Sequence, residues 1–320
     1  MPTRININGS ITPPEEARVS VLDHGFLFGD SVYETLRTYG RKPFLFSKHF
    51  ARLENSAKAI HLDLPWDKER TRAEILRTIL EANNPKESRI RLVVTRGVGD
   101  LSPDTDACLA PTAVVTVSPL VEQPLEVYEN GVSVIVSTLQ RNLQFADVKT
   151  GNLIRQVLAF REAKAAGAFE AILLTPEGII SDGITSNMYL IKNGRLLTPS
   201  REAGIVEGIT RGVVLELARG AGLQVVEGLL RPDEIATAEE HRLAMTLLSQ
   251  FQLYTRSLAL THLLCDLHDE RACLKRIGAA VLEDVANDIA VSVGVAVFGF
   301  VTHVCAHRFS AAKSRSLANQ

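Results

Sequence analysis

The sequence is poor in cysteine, in aromatic residues and in excess charge of either sign. Only four of its 320 residues are cysteine, and none forms a CxxC pair, which excludes a scaffold built on disulfides. The 35 Lys and Arg nearly balance the 37 Asp and Glu, leaving a net charge of −2. No basic face stands out that would hold a nucleic-acid backbone or an anionic membrane. We therefore expect a small-molecule partner, with no nucleic acid and no membrane.

Further absences bear on the compartment and on the last part of the chain. The amino terminus lacks the apolar core of a signal peptide, which together with the scarce cysteine predicts a cytoplasmic protein. No proline follows Pro232, whereas three of the four cysteines and five of the eight histidines follow residue 240. The stretch Ile289–Ala306 has no charged residue, but Ser292 and His303 favour a buried helix or strand over a membrane span. The last part of the chain thus differs in composition from the rest.

What is present indicates an α+β chain of two domains. A hydrophobic content of 46% over this length is enough for two cores of ordinary size. Prolines, glutamates and an Asn-Gly pair cluster just before residue 132, which is typical of a connection between domains. We predict a small α/β domain over 1–120, a linker over 121–131, a larger domain over 132–250 and an atypical segment over 251–320.

Hydrophobic periodicity predicts the elements of both halves. Apolar residues that recur every three or four positions indicate helices, and Ser47 is the expected cap of the first of them. Turn residues between apolar runs indicate hairpins at Asn8-Gly9 and Asn193-Gly194. The predicted helices are Ser47–Ile60, Lys68–Ala82, Asn152–Ala166 and Ile209–Ala221, and the predicted strands are Ile90–Thr95, Thr112–Val117, Val132–Ser137 and Ala171–Thr175.

Two segments carry a candidate nucleophile and a candidate acid, each with an ordinary alternative. Lys149 lies just before a predicted helix, where a partly desolvated amine can form a Schiff base. Most lysines at such positions are solvated surface groups. Asp182 lies in a polar turn between two apolar strands, which can line a cleft or be a plain surface turn.

Two further segments carry candidate anion ligands. Gly204–Arg211 leads into a predicted helix, whose free N–H groups attract phosphate, although the same residues can simply begin a helix. His49, Arg52 and Ser56 share one face of the first predicted helix. An arginine there can hold a phosphate through two hydrogen bonds, or lie solvated on an amphipathic helix.

In this order, the segments resemble the class IV, or fold-type IV, pyridoxal-phosphate-dependent aminotransferases. The chain is most similar to the branched-chain aminotransferases of that family, which also holds D-amino-acid aminotransferases and aminodeoxychorismate lyases. The resemblance covers about residues 1–240. The matching stretches are Asp23–Gly40, His49–Ser56, Arg91–Gly99, Lys149–Ala159, Gly167–Ile191 and Gly204–Leu217.

The resemblance implies pyridoxal 5'-phosphate in a cleft between two domains, no metal, and a homodimer in which a loop of one subunit helps to close the other's site. It implies that Lys149 forms the Schiff base and later moves a proton between the substrate and the cofactor. It places Tyr33 and Arg96 near the substrate. The further cofactor ligands that it implies are Arg52, the N–H groups of Ile209 and Thr210, the Thr185-Ser186 region, Asn187, and Asp182 opposite the pyridine nitrogen.

The sequence departs from the family pattern in three places. Asp182 stands where the family usually has a glutamate, which is longer by roughly 1.5 Å. Leu153 stands where branched-chain enzymes commonly have a tyrosine. After Glu240, the strand and the Thr/Ser-rich turn of the family are not evident, so we expect a shifted reading frame, a fused segment or a strongly diverged terminus there.

The resemblance favours a transaminase acting on branched-chain L-amino acids and 2-oxoglutarate. Leu153 and the Tyr33-Glu34 neighbourhood leave D-amino-acid transamination open. However, the Arg-Gly-x-x-Arg-x-His pattern of those enzymes is absent after Arg96. An aminodeoxychorismate lyase is a further alternative, and Asp182 with the atypical last segment motivates a weakened, non-catalytic homologue that only binds the cofactor.

Overall fold

The computed structural model describes residues 2–238 and 240–245. The predicted atypical segment 251–320 and its uncharged stretch Ile289–Ala306 lie outside the described residues.

The first half of the chain forms an antiparallel six-stranded sheet with two helices packed on it. The strand order is β2-β1-β6-β5-β3-β4. The elements are β1 (Arg4–Ile7), β2 (Ser10–Thr12), α1 (His24–Leu27), β3 (Ser31–Tyr39), β4 (Lys42–Pro43), α2 (Phe46–Ala59), α3 (Lys68–Ala82), β5 (Ser88–Thr95) and β6 (Thr112–Pro119).

Helix α3 has the bounds that the sequence predicts. The Asp67 side chain accepts a hydrogen bond of 2.8 Å from the N–H of Arg70 at its start, and Asn83 ends it with a φ of 45°. Its apolar face packs with that of α2 against the sheet, through Leu53 and Ile75 among others. Burying such a side chain stabilises the fold by about 1.5–3 kcal/mol.

Helix α2 begins one residue earlier than predicted, and its predicted cap is wrong. Leu45 precedes the helix with a φ of 47° and gives no side-chain cap, while Ser47 lies inside the first turn. Phe46 is buried and its ring centroid lies 5.9 Å from that of Phe50. Packing of this ring in the core, rather than a capping hydroxyl, sets the start of α2.

The second half of the chain contains two smaller sheets. One has the order β7-β8-β9 and the other β12-β11-β10-β13. The elements are α4 (Leu125–Asn130), β7 (Val134–Gln140), α5 (Ile154–Ala165), β8 (Glu170–Leu174), β9 (Ile180–Gly183), β10 (Ser186–Lys192), β11 (Arg195–Pro199), α6 (Ile209–Gly220), β12 (Gln224–Gly228), α7 (Pro232–Thr237) and β13 (Glu240–Met245).

Local turn chemistry accounts for the β10–β11 hairpin. Asn193 and Gly194 both have positive φ, 52° and 68°, and join Lys192 to Arg195. Two such residues match the twist of the flanking strands. The predicted hairpin is confirmed.

Two expectations about the second half need correction. The stretch 121–131 is not only turns, because α4 lies within it. A strand is present after residue 239, since β13 pairs antiparallel with β10. Its first three residues are polar and none of the six is β-branched, so the sequence signal for this strand is weak and pairing with the open edge of β10 decides it.

The α+β architecture agrees with the predicted fold class. Strands of the six-stranded sheet all come from residues 4–119, and the strands of the other two sheets come from residues 134–245. The domain boundaries themselves remain a prediction.

Candidate active site

A cavity of about 660 Å³ lies between the two halves of the chain. The first half contributes residues of α2, β3 and β5, and the second half contributes the stretch before α5, the turn between β9 and β10, and the residues before α6. The sequence-predicted residues that line it are Tyr33, Arg52, Lys149, Asp182, Thr185, Ser186 and Asn187.

Lys149 is held in this cavity by its backbone. Its carbonyl accepts a 3.0 Å hydrogen bond from the N–H of Tyr33, and its own N–H donates to Ser56 Oγ over 3.1 Å. The side chain then extends to the Tyr33 hydroxyl, which lies 3.4 Å from Nζ. Strand β3 and helix α2 thus fix where the amine stands. Ser56, on the polar face predicted for α2, is thus one of the residues that hold the Lys149 backbone in place.

Arg52 forms a buried ion pair that the sequence did not predict. Its Nε and Nη2 donate to the two carboxylate oxygens of Glu34 over 2.6 and 2.7 Å, and Nη1 donates to the carbonyl of Glu207 over 2.7 Å. The bidentate face expected to hold phosphate is therefore occupied by Glu34. Two of the five guanidinium N–H groups remain for a ligand.

Glu34 also binds His49. Burial raises the pKa of the Glu34 carboxyl, but hydrogen bonds and charge from Arg52 and His49 outweigh this and hold its pKa at about 2. An ionised carboxylate only accepts, so His49 Nδ1–H donates to it over 2.7 Å. Burial lowers the pKa of His49. The His49 imidazole and the Arg52 guanidinium thus share the Glu34 carboxylate as their common partner.

The start of α6 lies beside the cavity, because Val206 and Gly208, just before the helix, line it. Gly208 precedes the helix, and no side chain of the described residues caps it. Ile209 and Thr210 are the first two residues of the helix, but they are not among the residues that line the cavity, and their role as phosphate ligands remains a prediction. Asn187 donates from Nδ2 to the carbonyl of Val206 over 2.9 Å, and a Cβ at position 208 would overlap Asn187 Oδ1. Only glycine fits there without displacement.

Asp182 lies in strand β9, not in a turn as expected. The Val206 N–H donates to Oδ2 over 3.1 Å, and Arg141 Nη1 lies 3.7 Å from Oδ1. Burial raises the pKa of the Asp182 carboxyl, whereas the charge of Arg141 lowers it. Arg141 was missed by the sequence analysis, because a single arginine after a strand carries no motif.

The structure does not bring Arg96 into the cavity. Its guanidinium binds both oxygens of Asp30, at 2.9 and 3.2 Å, and the carbonyls of Ile60 and His61. Its role as a substrate ligand remains a prediction, and these contacts leave little donor capacity for one.

Two arginines that the sequence analysis did not single out line the cavity instead. Arg89 and Arg91 are two residues apart on β5 and so face the same side of the sheet. The Arg91 guanidinium lies 4.1 Å from the ring centroid of Tyr33. Neither arginine forms an ion pair with a described residue, so the cavity wall carries positive charge beyond that of Lys149.

These residues fit a phosphorylated pyridine aldehyde. The uncapped N-terminus of α6 and the free N–H groups of Arg52 suit a phosphate, and the amine of Lys149 suits an aldehyde. Asp182 is a buried carboxyl on another wall, which suits a protonated ring nitrogen.

The amino-transferase class IV family profile matches residues 31–250. That stretch contains every residue of the cavity wall except Phe28, Gly29 and Asp30.

The chain belongs to the class IV aminotransferases.

Relatives of this class IV aminotransferase have several activities in their names. A putative branched-chain-amino-acid aminotransferase of Methanocaldococcus jannaschii is 39% identical over 240 residues, covering 74% of this chain and 82% of the relative. A D-alanine aminotransferase of Bacillus licheniformis is 33% identical, with coverage of 74% and 82%. An aminodeoxychorismate lyase of Bacillus subtilis is 31% identical, with coverage of 74% and 80%.

The fold agrees with solved structures of the family. The branched-chain amino acid aminotransferase of Escherichia coli superposes with a TM-score of 0.72 at 26% identity, covering 78% of this chain and 88% of that one. The family depends on pyridoxal phosphate, as the resemblance implied. Within the part of this aminotransferase that the structure describes, no helix is long and apolar enough to cross a membrane, and no cluster of three or more acidic, His or Cys side chains could hold a metal.

Proposed function

We propose that this class IV aminotransferase uses pyridoxal phosphate bound covalently through Lys149 to move an amino group between a branched-chain L-amino acid and 2-oxoglutarate. One observation carries the proposal. A lysine amine, an uncapped helix N-terminus with an arginine beside it, and a buried carboxyl converge on one cavity of about 660 Å³. Pyridoxal phosphate supplies an aldehyde that condenses with amines and a ring that accepts electrons from the substrate Cα.

The residues of the chain bind and orient at defined atoms. Lys149 Nζ, held 3.4 Å from the Tyr33 hydroxyl, is the amine that anchors the cofactor. The same amine later moves a proton between the substrate and the cofactor. The N–H groups of Ile209 and Thr210 and the remaining donors of Arg52 bind the phosphate. Asp182 faces the ring nitrogen.

The unpaired cations in the cavity support a dicarboxylate as one of the two substrates. Arg89 and Arg91 lie on β5 and line the cavity. A 2-oxo acid with a second carboxylate can bind such a guanidinium by charge-assisted hydrogen bonds. A branched-chain substrate would occupy the same cavity with its apolar side chain.

We further propose a homodimer, and a cytoplasmic location as the scarcity of cysteine indicates. Helix α5 exposes apolar side chains, including Val157 at 52% and Phe160 at 52%, beside a cavity wall that includes Ile154. An exposed apolar surface next to an active site is typical of a subunit interface.

A substrate panel tests the proposed reaction. The chain is incubated with pyridoxal phosphate and each L- and D-amino acid, with 2-oxoglutarate or pyruvate as acceptor. We expect glutamate to form from leucine, isoleucine or valine, and the cofactor absorbance band of wild type to be lost in Lys149→Ala. Activity with D-alanine alone would favour the D-amino-acid alternative, and pyruvate release from aminodeoxychorismate would favour the lyase. Absence of a Lys149-dependent band would refute the proposal at its first step.

A further inference from the structure

A buried carboxylate that the proposed reaction does not use lies directly behind the cavity wall. Glu170 is the first residue of β8 and only 2% exposed. Each hydrogen bond that its carboxyl accepts from the described residues comes from a backbone N–H or a hydroxyl, not from a cation. Burial raises the pKa of the Glu170 carboxyl, and these bonds partly offset that effect. Burying such a group without a counter-charge costs free energy, so its contacts need an explanation.

The contacts of Glu170 converge on the turn between β9 and β10. Oε1 accepts from the N–H of Ile184 over 3.0 Å, while Oε2 accepts from the hydroxyls of Thr185 and Ser186 over 3.3 and 3.2 Å. A Cβ at Gly183 would lie 3.2 Å from the Glu170 carboxyl carbon. The turn is therefore built directly on this carboxylate.

The opposite side of the same turn lines the cavity. Residues 182–187 all belong to the cavity wall. The turn connects Asp182, the proposed partner of the ring nitrogen, to Asn187, which binds the segment before α6. The shape of the turn thus sets the distance between Asp182, the proposed partner of the ring nitrogen, and Asn187, which lies beside the start of α6.

We propose that Glu170 is a positioning residue for the cofactor, which it never touches: it pre-forms the turn 183–186 and thereby holds Asp182 and Asn187 at the spacing that pyridoxal phosphate requires. This inference rests on the proposed function. A carboxylate accepting from several donors at once fixes a turn more firmly than one backbone bond does, because hydrogen bonds to charged groups are the stronger ones.

Substitution of Glu170 separates positioning from mere packing. Glu170→Met keeps the length of the side chain but removes the acceptors of Ile184, Thr185 and Ser186, so we expect some loss of thermal stability whichever role Glu170 has, and cofactor affinity is the readout that tests positioning. We expect its Kd for pyridoxal phosphate, measured by fluorescence titration of the apo protein, to rise about 10- to 100-fold. Glu170→Gln should bind within about fivefold of wild type, since its oxygen accepts from Ile184 and its amide donates to the two rotatable hydroxyls.

Glu162 provides the matched control. Its carboxylate likewise accepts from a serine and a threonine, with Ser137 Oγ at 2.5 Å, but it lies on α5 away from the cavity wall. Glu162→Met and Glu162→Gln should leave the Kd unchanged. A Kd of Glu170→Met within twofold of wild type would overturn the inference, whatever its thermal stability. Failure of wild type to bind pyridoxal phosphate would instead overturn the proposed function.

A measurement on the unmodified apo protein keeps the inference testable if Glu170→Met does not fold. The amides of residues 183–187 should exchange slowly with deuterated solvent before the cofactor is added, and gain little protection with it. Fast exchange in the apo protein, slowed only by pyridoxal phosphate, would show that the cofactor and not Glu170 orders the turn.

Discussion

Glu34 is a buried carboxylate shared by two partners, Arg52 and His49. Its pKa of about 2 lies below its ordinary value of 4.5. Between these values the unfolded chain binds more protons than the folded one, so stability is present above about pH 4.5 and is lost as pH falls toward 2. Glu34 lies on β3 and Arg52 on α2. The ionised Glu34 carboxylate therefore stabilises the first half of the chain and also holds Arg52, the proposed phosphate ligand, in place.

Glu34→Gln should remove much of this pH dependence. The variant leaves the Arg52 charge buried and unpaired, so we expect it to be less stable than wild type at pH 7 by about 3 kcal/mol, with a smaller difference at pH 3. Urea unfolding at several pH values measures this. Glu16→Gln, at an exposed site, serves as the control. Parallel stability curves for wild type and Glu34→Gln would contradict the prediction.

Arg89 is expected to contribute to recognition of the dicarboxylate. Arg89→Gln removes a cation from the cavity wall but leaves Arg91 stacked on Tyr33. We expect the KM for 2-oxoglutarate to rise about tenfold, with the KM for the branched-chain substrate nearly unchanged, because only the former carries a second carboxylate. Steady-state kinetics with each substrate varied in turn test this. Arg195→Gln, outside the cavity wall, is the control, and equal changes in both KM values would argue against a specific role for Arg89.

Among the secondary-structure elements, α6 combines a ligand-binding end with an ordinary helical body. Gly208 at its start packs against Asn187, whereas a Cβ at Gly212 within the helix would meet no atom within 4 Å. The two glycines therefore serve different purposes in one helix.

Gly208→Ala and Gly212→Ala should have opposite effects. The first forces Asn187 or the helix start to move, and we expect it to weaken pyridoxal phosphate binding by about 1–3 kcal/mol. The second only improves helix propensity and should stabilise the protein by up to about 1 kcal/mol with unchanged binding. Cofactor titration and thermal melting of both variants measure this. Equal cofactor affinity of the two variants would show that the start of α6 tolerates a side chain.

The strand β13 shows which elements the sequence leaves undetermined. Helix α3 and the β10–β11 hairpin carry their own signals, since a capping aspartate, a regular apolar face and an Asn-Gly pair all act between near neighbours. β13 has no such signal and forms because β10 offers an unpaired edge. The start of α2 likewise follows the packing of Phe46.

For the entire chain, the exposed apolar side of α5 predicts self-association. Val157→Glu combined with Phe160→Glu should convert a dimer into a monomer, because two charges cannot be desolvated at an apolar interface without partners. Sedimentation velocity at micromolar concentration distinguishes the two states. Lys164→Glu in the last turn of the same helix is the charge-changing control. A variant that remains dimeric would place the interface elsewhere.

The amino-acid sequence was enough to predict the family, the α+β class and, to within two residues, the bounds of helices α2, α3, α5 and α6. These features depend on short-range patterns and on motifs that occur in a constant order. Only the tertiary structure decided which charged side chains contact one another. Arg52 with Glu34, Arg96 with Asp30, Arg141 with Asp182, and Glu170 under the turn 183–186 are contacts between distant parts of the chain. No local spacing encodes them, because each depends on where two separately formed elements are brought together by packing of the cores.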